Sequence, residues 1–429
     1  MAEPRARPPL SALSKQVLAV WGANCVFVPV ALVRFSGPVS GAQVGLAVGF
    51  SLVLVAAGVL YALRARGAWH GLQAVLLVGV FLGGYFSSAV LFVGESVLMI
   101  YLYFSLYTKE VRAEFDVHAA PREVGVLLVL LAMCVVLTLV RPRFLEGGNL
   151  LRLVRQFSMV GIMAVGMTMV IVVGGIDLSV GSAVALSGCL AVMAYRGGAP
   201  LGLAVVVAVA VGGACGAFNG ALVSLFRMAP FIITLGTMSI ARSLTQVVTG
   251  GKRVVLEDAA REEALKAIAW GDVGGLGVPN PVWIMALVVL LGHLLLTRTR
   301  TGRHVYYIGS NQEAARLSGL NVVGVKWFVY AVMGALAGLA GIIQAARTAS
   351  GQVSAGLGDE LRVIAAVIIG GASFAGGEGT VLGAVLGAAI MGVLSQGLVL
   401  LGVEPFWQKF VQGAVIIAAV ALDMLRRRR

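Results

Sequence analysis

Charge is what this sequence has least of. Asp, Glu, Lys and Arg together make up 12% of its 429 residues, about half the roughly 25% of a soluble domain, while 59% of the chain is hydrophobic. That balance excludes a water-solvated globular protein and leaves a membrane as the solvent. Cysteine numbers only four, Cys25, Cys134, Cys189 and Cys215, each inside an apolar stretch and none in a CxxC pair. A disulfide framework and a zinc site are thereby disfavoured, and the thiols read as small buried hydrophobes. The four histidines, His70, His118, His293 and His304, are scattered, so neither a metal cluster nor a catalytic base is expected, and no cofactor. Nor is there a G-x-x-x-x-G-K-[ST] phosphate loop: the nearest approach, Gly319 to Lys326, spaces its lysine wrongly. Such a chain is expected to do no covalent chemistry and to hydrolyse no nucleotide itself.

What is present is apolar sequence in long runs, many near the ~20 residues a helix needs to cross a hydrocarbon core. The 57 glycines suit closely packed membrane helices, where small residues let backbones approach. The net charge of +13 comes from basic residues in short segments between apolar runs, as the positive-inside rule expects of a protein embedded in lipid, and nucleic-acid binding is not expected. Residues 1–15 carry Arg5, Arg7 and Lys15 ahead of an apolar run. They lack a small-x-small cleavage site, so that run reads as a retained span.

The apolar runs predict four spans before residue 110, near 16–33, 43–63, 72–90 and 91–108. Ten more follow near 124–140, 158–173, 181–195, 200–225, 231–249, 281–296, 327–346, 361–376, 380–401 and 406–424. This count puts both termini and the basic 297–326 segment on the cytoplasmic side. Arg141, Arg143, Arg152 and Arg155 then fall outside, against the charge rule. An amphipathic helix at 149–156 lying on the membrane would relieve the conflict. The polar stretch 250–280 suits a short helix over an outer vestibule, or a plain solvated connector.

Three stretches stand out against the apolar background. In 164–182, AVGMTMVIVVGGIDLSVGS, paired glycines interrupt an apolar run and Asp177 and Ser179 follow. A carboxylate at membrane depth costs roughly 2.5–3.5 kcal/mol on insertion scales, so it should face a cavity or a partner, as at the broken helices of transporters. Asp177 is equally suited to cap the next helix, with Ser179 assisting. In 230–251, Ser239, Arg242, Gln246 and Thr249 recur at helical spacing on one face, a stripe that either lines a wet path or glues helices together. In 298–326, residues 311–317 predict a short helix capped by Asn311 or Ser310, with Glu313 in its first turn and Arg316 near its end. It suits docking of a cytoplasmic partner; a solvated turn is the ordinary alternative.

With these motifs the sequence resembles the ribose/xylose/galactose-type permeases of ABC importers, within the group that also serves branched-chain amino acids. The resemblance rests on GGIDLSVGS at 174–182, PFIITLGTMSIAR at 230–242, VPNPVW at 278–283 and GSNQEAARLSGLNV at 309–322. It continues through 338–384, GLAGIIQAARTASGQVSAGLGDELRVIAAVIIGGASFAGGEGTVLGA, and PFWQKFVQGAV at 405–415. It runs from about residue 121 to the C-terminus in the family's order.

The resemblance implies an all-α polytopic membrane protein with an ABC importer permease core of about ten helices at 121–429. The extension at 1–120, with about four transmembrane helices read from its apolar runs and no assigned role, departs from the family, whose members usually begin one short tail before the first core span. The resemblance also implies a bacterial cytoplasmic (inner) membrane location and a homo- or heterodimer with a second permease copy or paralogue. It further implies a separate ATPase subunit below and a periplasmic or extracellular sugar-binding protein above. The substrate path is assigned to Asp177, Ser179, Ser239, Arg242, Gln246, Gln344 and Glu360, and the ATPase coupling loop to Asn311, Glu313, Arg316 and Gly319. A pentose or hexose is the expected cargo; a nucleoside or autoinducer sugar is the nearby alternative. Two readings from other classes are an ion-coupled secondary transporter, which would want more embedded carboxylates, and a membrane anchor or sensor.

Overall fold

The computed structural model describes residues 122–275 and 277–427. The four spans expected before residue 110, and the extension that holds them, lie outside the described residues. Backbone contacts divide the chain into two units, Met1–Leu145 with Ser395–Arg429, and Glu146–Leu394.

In the first unit the described elements are α1 (Arg122–Val140), a 3-10 turn (Pro142–Leu145) and, past Ser395, the end of one helix and the whole of the last. The second unit contains α2 (Gly147–Val172), α3 (Val180–Arg196), α4 (Leu201–Leu225), α5 (Pro230–Thr249), α6 (Ala259–Trp270) and α7 (Asn280–Arg298). The short α8 (Arg300–Ser310) and α9 (Gln312–Leu317) follow, then α10 (Val322–Thr348) and α11 (Asp359–Ile369). Helix α12 (Val381–Leu400) begins in the second unit and ends in the first, and α13 (Pro405–Arg427) closes the described chain. Seven of these helices are long and apolar enough to cross a membrane, and α3 is a shorter apolar helix. The protein is an all-α polytopic membrane protein, its only described strands being β1 (Val254–Val255) and β2 (Ser350–Gly351).

Local chemistry sets the helix ends. Pro230 starts α5 in the first turn, where its missing N–H costs nothing, and Gly250 ends it with φ 62°. Asp258 caps α6 by accepting from the Ala260 amide at 2.8 Å, Asn311 caps α9 from Ala314 at 2.9 Å, and Asn321 caps α10 from Gly324 at 2.9 Å.

Helix α10 is the hub of the second unit, packing against α2, α3, α4 and α6. Its contact with α4 is backbone to backbone. Ala204, Ala208, Gly212, Gly216 and Gly220 repeat every fourth residue along the buried face of α4. Opposite them lie Tyr330, Gly334 and Gly338 of α10. A Cβ on Gly212 would overlap the Gly334 carbonyl, one on Gly216 the Tyr330 carbonyl, and one on Gly338 the Ala208 carbonyl. Lipid gives apolar helices no hydrophobic reason to associate, so this contact rests on dispersion between closely approached backbones.

The second unit has two distinct ends. At one, the Gly377 amide donates to the Val172 carbonyl that closes α2, at 2.8 Å, and the Tyr306 hydroxyl of α8 donates to Gly379 at 2.7 Å. At the other, β1 and β2 pair antiparallel, Val254 opposite Gly351. There α6 lies over the bundle, its Leu265 and Ala269 buried among Ala191, Tyr195, Ile342 and Ala345. The helix expected within 250–280 is this one.

Two expectations are corrected. The stretch 149–156 is no separate surface helix: nothing breaks the chain between Gly147 and Val172, and those residues form the first turns of α2. The run 361–376 is no full span either. Helix α11 stops at Ile369 because Gly370 and Gly371 follow, the latter at φ 95°, and an irregular segment with Gly376, Gly377 and Gly379 also at positive φ leads to α12.

Gly216→Val forces a branched side chain into the Tyr330 carbonyl, and overpacking of this kind costs ~1–3 kcal/mol or more. Thermal melting of the detergent-solubilised protein should therefore fall clearly for Gly216→Val. It should hold for Gly202→Ala, whose added Cβ meets nothing within 4 Å.

Candidate functional site

Helix α2 ends at Val172 and α3 begins at Val180, leaving a non-helical crossing at 173–179. Gly174 takes φ 84° to make the break, and Gly175 lies so close to the Tyr330 hydroxyl that a Cβ would overlap it. Asp177 is enclosed in this crossing at 1% exposure, with Ser179 at 2%. One oxygen, Oδ1, accepts from the Ser179 amide at 2.8 Å and the Ser179 hydroxyl at 2.6 Å. Asn219, 0% exposed on α4, directs Nδ2 to the Ser179 hydroxyl oxygen at 2.8 Å and to Asp177 at 3.4 Å.

The capping expectation is corrected here. Ser179 holds the cap position of α3 but satisfies no helix N–H with its side chain, and Asp177 turns back onto Ser179. A buried carboxylate only accepts, so it calls in donors wherever they lie, and the Ser179 hydroxyl at 2.6 Å is the nearest, ahead of the amide at 2.8 Å. Asn219 was missed because its partners are 40 and 42 positions away. The available signal was an amide inside an otherwise apolar run, which seldom sits idle in a membrane. The Asn219 Oδ1 and Ser182 Oγ atoms are buried with no hydrogen-bond partner.

A second polar group surrounds the segment between β2 and α11. Arg242 reaches out of α5 and donates through Nη1 to the carbonyls of Val353 at 2.6 Å and Ala355 at 2.9 Å. Backbone without helical bonds survives inside a bundle only when its carbonyls find such donors. Gly356, at φ 68°, packs against the first turn of α3, where a Cβ would overlap the Gly181 carbonyl. Glu360 lies against the same Gly181 and attracts Arg242. The first turn of α3 thus separates an Asp177–Ser179–Asn219 cluster from an Arg242–Glu360 cluster.

The rest of the stripe on α5 does not join them. The packed face of that helix is Ile233, Thr234, Thr237, Ala241 and Thr245. Ser239 and Gln246 are exposed, and the Ser239 and Thr249 hydroxyls bond back to carbonyls of their own helix. Gln344 lies on α10 with its Oε1 buried and unpartnered.

Beside the Val172 end of α2, where Gly309 crowds the Val172 carbonyl, α8 and α9 form a short two-helix element. Val305, Ile308 and Ala315 face inward. Glu313 and Arg316 pair at 2.7 Å on the exposed side, an ion pair worth little in itself. Gly319, at φ 79°, ends α9, and Leu317 stands 81% exposed. Asn311, Glu313, Arg316 and Gly319 are all on the exposed side of this element. Among the described residues no group of three or more His, Cys, Asp or Glu is placed to hold a metal ion.

Apolar helices interrupted inside the bundle, with polar groups gathered at the breaks, are the build of a membrane permease. The chain belongs to the branched-chain amino acid transport system / permease component family, whose model matches residues 149–420. It is 44% identical over 298 residues to the ribose import permease protein RbsC of Escherichia coli K12, covering 69% of this chain and 92% of that protein. It is 40% identical over 318 residues to the RbsC of Bacillus subtilis, covering 74% and 97%. The xylose transport system permease protein XylH of Escherichia coli K12 is 36% identical, covering 67% and 87%. No solved structure matches the chain.

Asn219→Leu takes a donor from the enclosed Asp177–Ser179 pair, and leaving a buried polar group short of a partner costs ~1–3 kcal/mol. Melting of that variant should fall well below wild type, while Ser239→Ala, at an exposed site with an internal bond only, should melt as wild type does.

Proposed function

We propose that this chain is the membrane-spanning permease subunit of a bacterial ABC importer for a monosaccharide, a pentose or hexose, in the cytoplasmic membrane. Transport is by alternating access. A separate ATPase subunit docks on α8 and α9, a secreted sugar-binding protein delivers cargo to the end covered by α6, and the working unit contains two permease copies or paralogues. Residues 121–429 form the transport core, residues 1–120 are accessory to it, and both termini face the cytoplasm. Support for the solute comes from relatives named for ribose import and xylose transport.

The observation that carries the coupling is the tether between α8 and the breaks. The Val172 carbonyl, last of α2, receives Gly377, and Tyr306 of α8 holds Gly379 in the same glycine-rich segment. Force on α8 therefore reaches the segment after α11 through the Tyr306 hydroxyl, and the end of α2 ahead of the 173–179 crossing through the Gly377 amide. In this reading Asp177, Ser179 and Asn219 hold the crossing in shape. Arg242 and Glu360, with Gln344, line the route the sugar takes, and Ser239 and Gln246 lie on the open face of α5. The chain's own residues bind, position and gate; the ATPase supplies the energy.

Glu313→Lys reverses the charge on the exposed face of α9, and Gly319→Val places a β-branched residue at φ 79°, a left-handed conformation costing roughly 1–2 kcal/mol for such side chains. Both variants should insert into the membrane and lose sugar uptake to near background, with ATP hydrolysis by the assembled transporter no longer tied to uptake. Wild-type uptake by either one contradicts the coupling role.

A further inference from the structure

One face of α7 is open along its length. Leu287, Leu291 and Leu294 stand 57%, 56% and 42% exposed at helical spacing, and Arg298, exposed at the last position of the helix, continues the same stripe. Met285, Gly292 and Leu296 on the opposite face are buried. The chain then turns at a single residue, Thr299, whose hydroxyl donates to the Leu295 carbonyl at 2.6 Å and accepts from the Gly302 amide at 3.0 Å. Gly302 lies so close to α7 that a Cβ there would overlap the Leu295 carbonyl. The corner is therefore fixed. Helix α8 leaves it with Val305 and Ile308 buried and with Arg300, Arg303 and Tyr307 exposed on the other side, three and four residues apart. Neither α7 nor α8 contains an acidic residue. Among the described residues Arg298, Arg300 and Arg303 enter no ion pair.

Three unpaired guanidiniums held at one corner fit an anion, because each presents a planar fork of donors that matches a carboxylate or a phosphate. Their position decides which. The leucine stripe that ends at Arg298 lies against acyl chains, so the anion at that level is the phosphate at the head of those chains. Tyr307 has the amphipathic build of residues found at headgroup depth. Helix α9 differs: its Arg316 is already paired with Glu313, and Leu317 projects from it, which suits a protein partner. We propose that Arg298, Arg300 and Arg303 form a binding site for the phosphate of an anionic phospholipid, one whose headgroup carries no ammonium of its own. The site holds α8 against the membrane surface. The inference rests on the membrane-spanning reading of α7 and refines the docking proposed above: the outer face of α8 goes to lipid and α9 to the ATPase.

The test uses the full chain in phosphatidylcholine nanodiscs carrying a trace of photoactivatable phosphatidylglycerol or of photoactivatable phosphatidylcholine, with adducts mapped by mass spectrometry. Adducts within residues 287–307 should form at least roughly fivefold more often with the phosphatidylglycerol probe, the preference expected of even one basic residue at a charged membrane surface, and high salt should shrink that preference. Arg298→Gln, Arg300→Gln and Arg303→Gln combined should bring the two probes to equal yield. Lysine at the same three positions should keep the preference, since a point charge also holds a phosphate. Lys252→Gln with Arg253→Gln, exposed basic residues ahead of β1, should leave it unchanged. The wild-type comparison needs no variant, so misfolding of a variant does not shield the proposal. Equal yields from the two probes, or none, overturn it. So does a preference that survives the three glutamines while the ATPase subunit no longer co-purifies, which would assign the arginines to the protein partner. Uptake measured in parallel separates the two claims: if the probes label equally while Glu313→Lys still abolishes uptake, only this inference falls.

Discussion

The approach of α4 to α10 is the constraint on which the second unit depends. Gly212, Gly216 and Gly220 on one helix and Gly334 and Gly338 on the other bring the two backbones together so closely that carbonyls occupy the space of side chains. That proximity places Tyr330 beside Gly175 and lets Asn219, one position before Gly220, reach the Asp177–Ser179 pair. The same logic recurs where Gly181 meets Gly356 and where Gly309 and Gly377 crowd the end of α2. Heavy glycine usage is therefore the means by which polar, non-helical segments are held inside an apolar bundle.

Those segments follow one rule. A break in a membrane helix exposes backbone groups that no lipid can satisfy, so each break carries its own donors or acceptors. At 173–179 these are Asp177, Ser179 and Asn219. At 352–358 they come from Arg242, whose two bonds go to carbonyls 111 and 113 positions away. The two breaks share the first turn of α3. A shift of that turn is felt by both clusters at once, which is the property a gated path needs.

What could be read from the sequence was local. The GG before Asp177, Pro230 and Gly250 around α5, and Asn311 ahead of α9 act within a few residues, and the helices begin and end where those signals sit. The reach of α11 was misread because apolar residues run on to Ala372 while the backbone turns at Gly370–Gly371; hydrophobicity alone does not distinguish half a span from a whole one. The partners of Asn219 and of Arg242 were invisible for a different reason. They are brought near only by packing, and nothing in the flanking residues names them. The stripe on α5 was seen correctly as a face, yet only Arg242 turns from it into the bundle; Ser239 and Thr249 spend their hydroxyls on their own helix.

The central claim is that this bundle moves solute only when worked by a separate nucleotide-hydrolysing partner. Its most direct measurement is sugar accumulation in proteoliposomes containing the chain with and without its ATPase subunit and binding protein, under ATP or under an imposed ion gradient. The account predicts accumulation with the full set and ATP, and none from the chain alone under a proton or sodium gradient. Gradient-driven accumulation by the chain alone would contradict it.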